Sequence, residues 1–250
     1  MTADPSRRTR ARRRRAVADP AETRAPDRAP PPPGSNRREG PGLEFDRVSF
    51  FSDAVFAIAM TLLVVELEPP RLTSAESVPG ALLAAIVASW PQIFGFFLGF
   101  ALLGQYWMAH HTFFSNLRSI DHRMISLNLL YLAFVAFMPY PVALISSFEE
   151  NPVAFMIFAL TMATISLLEV AMFLYAVRNG HMRKAYSRAE TRFGLMAAGA
   201  PVVVMLASLP LAAFSTTLAL LSWLTLFPIG AAIHRAMPAN FRREMRGGAD

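Results

Sequence analysis

Four ionisable side chains interrupt apolar stretches of this 250-residue chain: Asp53, the adjacent pair His110 and His111, and Glu169. An aspartate and a histidine held together make an acid–base pair, and a membrane-buried glutamate can relay protons. Each chemistry needs partners that the spacing does not supply. Neighbouring residues on a helix point about 100° apart, so His110 and His111 cannot both address one site. One of them, not both, is a candidate hydrogen-bond partner for Asp53. Neither has a second His or a carboxylate four residues on, so metal ligation is not expected. There is no Cys, no phosphate-binding loop and no nucleophile constellation, so the chain does not read as an enzyme and no cofactor is expected. Glu169 reads as a neutral carboxyl or as one paired with a polar group such as Asn128. A proton relay there is the alternative.

The elements that carry these residues are apolar helices. The chain is 54% hydrophobic and 17% charged, with a mean hydropathy of +0.35, against about 25% charged in soluble domains. Six apolar runs, at 47–67, 82–108, 124–146, 153–177, 193–212 and 214–234, each approach the roughly 20 residues that cross about 30 Å of hydrocarbon. The expected fold is therefore all-α, a polytopic membrane protein of six transmembrane helices with the lipid bilayer as its surround. Residues 1–44, rich in Arg, Pro and Ala, cannot bury enough surface to offset their ordering entropy and read as a disordered tail. Residues 45–235 form the six-helix domain and 236–250 a polar end segment. Twenty-three of the 24 basic residues fall on the tail with Arg47, the second and fourth connections and the C-terminal segment, with Arg71 alone on the other side. By the positive-inside rule both termini are cytoplasmic and the protein sits in the cell membrane. The Arg run reads as a solvated, topology-fixing tail, with no nucleic-acid partner expected.

The first run, RVSFFSDAVFAIAMTLLVVEL, opens on Arg47 and sets Ser52 and Asp53 just inside its first turns. Taking Ile58 as zero and stepping 100° per residue, Leu62 lies near about +40°, Val65 near about −20°, Ala54 near about −40° and Thr61 near about −60°. These form one stripe. Asp53 at about −140° and Ser52 at about +120° lie on the other side, and Glu66 at about +80° lies off the stripe. The polar pair therefore faces neighbouring helices of its own subunit and leaves an aliphatic stripe free. A secondary transporter, proton-coupled through Glu169 and the histidines, is the competing function. The absence of an internal repeat weighs against it.

The pattern R-x-x-x-F-S-D, here Arg47, Phe51, Ser52 and Asp53 at the head of the first span, resembles the hallmark of the transmembrane protein 175 family. The stretch YWMAHHTFF at 106–114, expected to follow the second span, is similar to its bacterial members. The resemblance implies a potassium-permeable channel of the single-repeat form, a homotetramer of six-helix subunits whose first helices line the pore. It implies that Ile58 forms the narrow hydrophobic constriction, with Leu62 and Val65 as the next apolar layers and Thr61 tied to potassium preference. Arg47, Phe51, Ser52 and Asp53, with Trp107, His110 and His111 from the second helix, would fix helix packing. The permeant potassium ions replace any cofactor, and no T-V-G-Y-G filter loop is present. Glu66 is a candidate for an outer-mouth ring that concentrates cations.

Overall fold

The computed structural model describes residues 41–70 and 79–236. The expected disordered tail lies outside the described residues up to residue 40, as do Arg71, Glu76 and the end segment from residue 237. The first helix, α1 (Pro41–Leu62), begins inside the stretch expected to be tail and tightens into a 3₁₀ turn at Leu63–Glu66. Then follow α2 (Pro79–Ala88), α3 (Trp90–Ser115), α4 (His122–Phe137), α5 (Pro139–Ser147), α6 (Pro152–Arg178) and α7 (Arg188–Ala212). The chain ends with α8 (Thr216–Ser222), a 3₁₀ turn at Trp223–Thr225, and α9 (Leu226–Ala236). Among the described residues these elements provide six helices long and apolar enough to cross a membrane.

Local chemistry sets the boundaries. Asp121 caps α4 by accepting the amide of Met124 at 2.8 Å, and Asn151 caps α6 by accepting that of Val153 at 2.9 Å. Ser187 and Glu190 form a reciprocal capping box that starts α7 several residues before the expected fifth span. The expected second span at 82–108 divides instead. Pro91 lacks the N–H that would bond the Val87 carbonyl, so α2 ends at Ala88 and a new helix, the span proper, runs Trp90–Ser115 with Pro91 in its first turn. The YWMAHHTFF stretch thus lies within this helix, not after it. The third span bends between α4 and α5 for a related reason. Pro139 cannot bond the Val135 carbonyl, and the Met138 amide takes that carbonyl at 3.2 Å in a tighter turn.

Lipid tails are as apolar as leucine, so these helices associate by close packing and hydrogen bonds. Gly95 and Gly99 on α3 permit the closest approach. A Cβ at Gly95 would fall 1.8 Å from Ser146 Oγ, and one at Gly99 would meet the Val142 methyls at 3.0 Å and Leu63 at 3.3 Å. Phe56, Leu63, Leu103, Phe114, Tyr131 and Val135 fill the junction of α1, α3 and α4. At one end of the bundle two connections meet. Leu117 and Met182 form an antiparallel bridge, and the Arg118 amide donates to the His181 carbonyl at 2.8 Å. The side chains of Arg118 and Arg183 donate to the carbonyls of Gly180 and Leu117 at 2.8 and 3.1 Å. Gly180, at φ 69°, supplies the left-handed turn. The Tyr175 hydroxyl donates to Asp121 at 2.5 Å and holds that carboxyl below its usual range, with the Met124 amide acting in the same direction. The connections that follow the second and fourth spans therefore share one end, as their shared basic character predicts.

Candidate functional site

The two faces of α1 divide sharply. Ser52, Phe56, Ala59 and Leu63 are buried, while Ile58, Leu62 and Val65 are 58%, 44% and 69% exposed. Phe51, Ala54 and Thr61 are exposed as well. A straight α-helical projection places Val65 near about −20°. The 3₁₀ turn, with roughly 120° per residue, moves it to about +40°, directly over Leu62 and still on the open side. The Thr61 hydroxyl donates to the Ile58 carbonyl at 2.8 Å, so its proton is used within the helix and its lone pairs remain. Glu66 is exposed and lines a small pocket with Gln92 and Ser146, turned away from the stripe.

The buried face carries a polar chain whose direction follows from counting protons. The Ser52 hydroxyl donates to the Val48 carbonyl at 2.9 Å, which uses its single proton. Asn128 must then present its NH₂ to Ser52, at 3.0 Å, and its carbonyl oxygen to His110, at 2.9 Å. His110 consequently donates from Nε2. Its ring is stacked between Phe114 and Tyr131, with centroids 4.2 and 5.3 Å away, and Phe56 packs at 5.7 Å. This chain joins α1, α3 and α4.

Asp53 finds a different partner from the one expected. Its carboxylate accepts the indole N–H of Trp107 at 2.9 Å, and neither histidine bonds it. Trp107 and His110 lie three residues apart on α3, so Trp107 meets the half-buried Asp53 while His110 points to α4. His111 is exposed and packs against Trp107 with the rings tilted by 34°, at 5.6 Å between centroids. The expected pairing of Glu169 with Asn128 does not occur: the Asn128 side chain bonds Ser52 and His110 instead. Arg47 and Phe51 are exposed near the start of α1, apart from the buried chain. Asn128 reads from the sequence only as a partner for Glu169 and Tyr131 is not singled out, and both prove central to the junction.

Comparison with known proteins identifies this arrangement. Residues 47–139, which carry α1 through the α4–α5 bend, match the family described as endosomal/lysosomal potassium channel TMEM175. A potassium channel of Streptomyces collinus is 34% identical over 174 residues, 66% of this chain and 82% of that one. The chain belongs to the TMEM175 family. The mouse endosomal/lysosomal proton channel TMEM175 is 38% identical over 114 residues, 44% of this chain and 23% of that protein. The crystal structure of a lysosomal potassium-selective TMEM175 homolog from Chamaesiphon minutus superposes with a TM-score of 0.65 at 26% identity. It covers 76% of this chain and 98% of that one. The matched relatives carry the names of potassium and proton channels, and the all-helical fold with six candidate membrane helices described here resembles that of the solved Chamaesiphon minutus homolog. No group of three or more metal-ligating side chains occurs among the described residues.

Proposed function

We propose that this chain forms a homotetrameric, potassium-permeable channel in the cell membrane, with both termini cytoplasmic, whose pore is lined by α1 and closed at a ring of Ile58. The observation that carries the reading is the division of α1. One face is packed within the subunit at Ser52, Phe56, Ala59 and Leu63, and the opposite face is an aliphatic stripe left largely exposed among the described residues at Ile58, Leu62 and Val65. One helix cannot enclose a pore, so symmetry must repeat the stripe, and closed rings are the common solution. Narrow aliphatic rings exclude water, and an ion that cannot keep its hydration shell does not pass. Opening requires the rings to move outward or rotate. Leu62 and Val65 form wider apolar layers toward the outer end.

Potassium preference arises from partial dehydration, which costs potassium less than sodium, assisted by the Thr61 oxygen. That oxygen suits the role because its proton is already donated to Ile58. Glu66 contributes to the outer mouth as a cation-attracting ring. The Ser52–Asn128–His110 chain and the Asp53–Trp107 bond fix the rotation of α1, which decides the residues the stripe presents.

Flux of potassium and sodium into liposomes, together with disulfide cross-linking of a Cys at position 58 in the Cys-free background, tests the reading. Passive flux without a coupling ion and ready inter-subunit cross-links are expected. Flux that requires a proton gradient would favour a secondary transporter. Cross-links at position 53 and none at position 58 would reverse the assigned helix orientation.

A further inference from the structure

We propose that the cavity around Glu169 is a binding site for a small organic cation, an ammonium group carried on an apolar body. The cavity, of about 370 Å³, lies between α3, α6, α7 and α9. That falls within the roughly 300–1,000 Å³ of small-molecule sites. Most of its wall is apolar, including Leu102, Met162, Pro201, Met205 and Leu226. Three polar side chains line it, and one is already committed. The Tyr106 hydroxyl donates to the Met162 carbonyl at 3.1 Å and meets Ser166 Oγ at 2.7 Å. Its single proton goes to Met162, so Ser166 donates to it and none remains for Glu169. Gln105 and Glu169 are the two polar groups left.

Glu169 is half-buried, and among the described residues its carboxylate makes no hydrogen bond and no ion pair. The lining holds no Arg, Lys or His. A carboxylate in an apolar surround is costly unless a partner compensates it. A lipid acyl chain would satisfy the wall and leave the carboxylate uncompensated. A bare metal ion needs several oxygen ligands, and the lining offers only Gln105 and Glu169 as uncommitted side-chain oxygens. An ammonium supplies the opposite charge and its N–H donors, and an apolar body fills the remaining volume. An amine of this kind meets both features of the site together. The inference does not rest on the channel reading, because occupancy is measured without flux.

The test is equilibrium binding of 1-adamantylamine to the purified full chain in detergent, beside the neutral isostere 1-adamantanol. Saturable amine binding is expected, weaker by about tenfold or more for the alcohol, since a charge-assisted contact is lost. Glu169→Gln should weaken amine binding to a similar degree. Ala198→Phe, which fills the cavity from α7, should abolish it while thermal unfolding stays cooperative. Equal affinity for amine and alcohol would overturn the proposal and leave a purely apolar cleft. No saturable amine binding to the native chain, or unchanged binding in Ala198→Phe, would overturn it as well. Should Glu169→Gln fail to fold, the amine–alcohol comparison on the native chain and the Ala198→Phe result decide.

Discussion

The inner and outer faces of α1 are built on the same backbone and answer to different demands. Inward, every residue is matched: Ser52 to Asn128, Phe56 to His110 and Tyr131, Leu63 to the α3 backbone at Gly99. Outward, Ile58, Leu62 and Val65 are largely exposed among the described residues. The inner face is where stability resides, and the outer face is free to be selected for conduction. Substitutions on the two faces should therefore separate cleanly, the inner ones lowering stability and the outer ones altering flux.

The largest effect belongs to the inner face. Phe56→Ala removes a fully buried ring from the His110–Tyr131 cluster and should cost about 3–5 kcal/mol. Thermal unfolding in detergent should show a lower midpoint or loss of folded protein. If Phe56→Ala unfolds normally, the junction is less tightly determined than its packing implies. Gly99→Ala comes next. Its new methyl would press on Val142 and Leu63, an overpacking worth about 1–3 kcal/mol, again read as a lowered midpoint with flux per folded protein unchanged.

On the outer face the expectation inverts. Ile58→Asn should leave the unfolding midpoint nearly unchanged and raise closed-state potassium and sodium leak about tenfold, equivalent to roughly 1.4 kcal/mol off the barrier. Selectivity should fall with it, because ions then pass with more of their hydration shell. Leu62→Asn should act in the same direction and more weakly. Unchanged fluxes in a folded Ile58→Asn protein would reduce the outer stripe to ordinary packing.

The smallest effect lies away from both faces and serves as a control. Asp121 is held below its usual carboxylate range first by the Tyr175 hydroxyl. A carboxyl depressed in the folded state adds stability above its unfolded pKa, and that stability is lost as pH falls through the folded value. Tyr175→Phe should therefore flatten the loss of stability on acidification below about pH 5, with neutral-pH flux unaffected. A steeper acid loss in Tyr175→Phe would mean that the hydroxyl does not stabilise the carboxylate form.

Helical periodicity alone decided which side of α1 each residue takes, since 100° per residue follows from backbone geometry and tolerates only a small error over four turns. Hydropathy gave the six spans, and Pro91 and Pro139 mark breaks whose cause is a missing N–H. The 3₁₀ turn at Leu63–Glu66 carries no comparable mark, so Val65 is legible as outward-facing and its angle is not. Partner choice was beyond the sequence. Asp53 and Trp107 are 54 positions apart, and Ser52 and Asn128 are 76 apart. Whether Trp107 or His110 reaches Asp53 turns on the rotation of α3 about its own axis, set by the Gly95 and Gly99 contacts with α5. Asn128, a candidate partner for Glu169, instead bonds Ser52 and His110. Local physics thus determined the helices and their faces. Packing over long separations decided which polar groups meet, because each satisfied hydrogen bond removes one donor or acceptor from every other pairing.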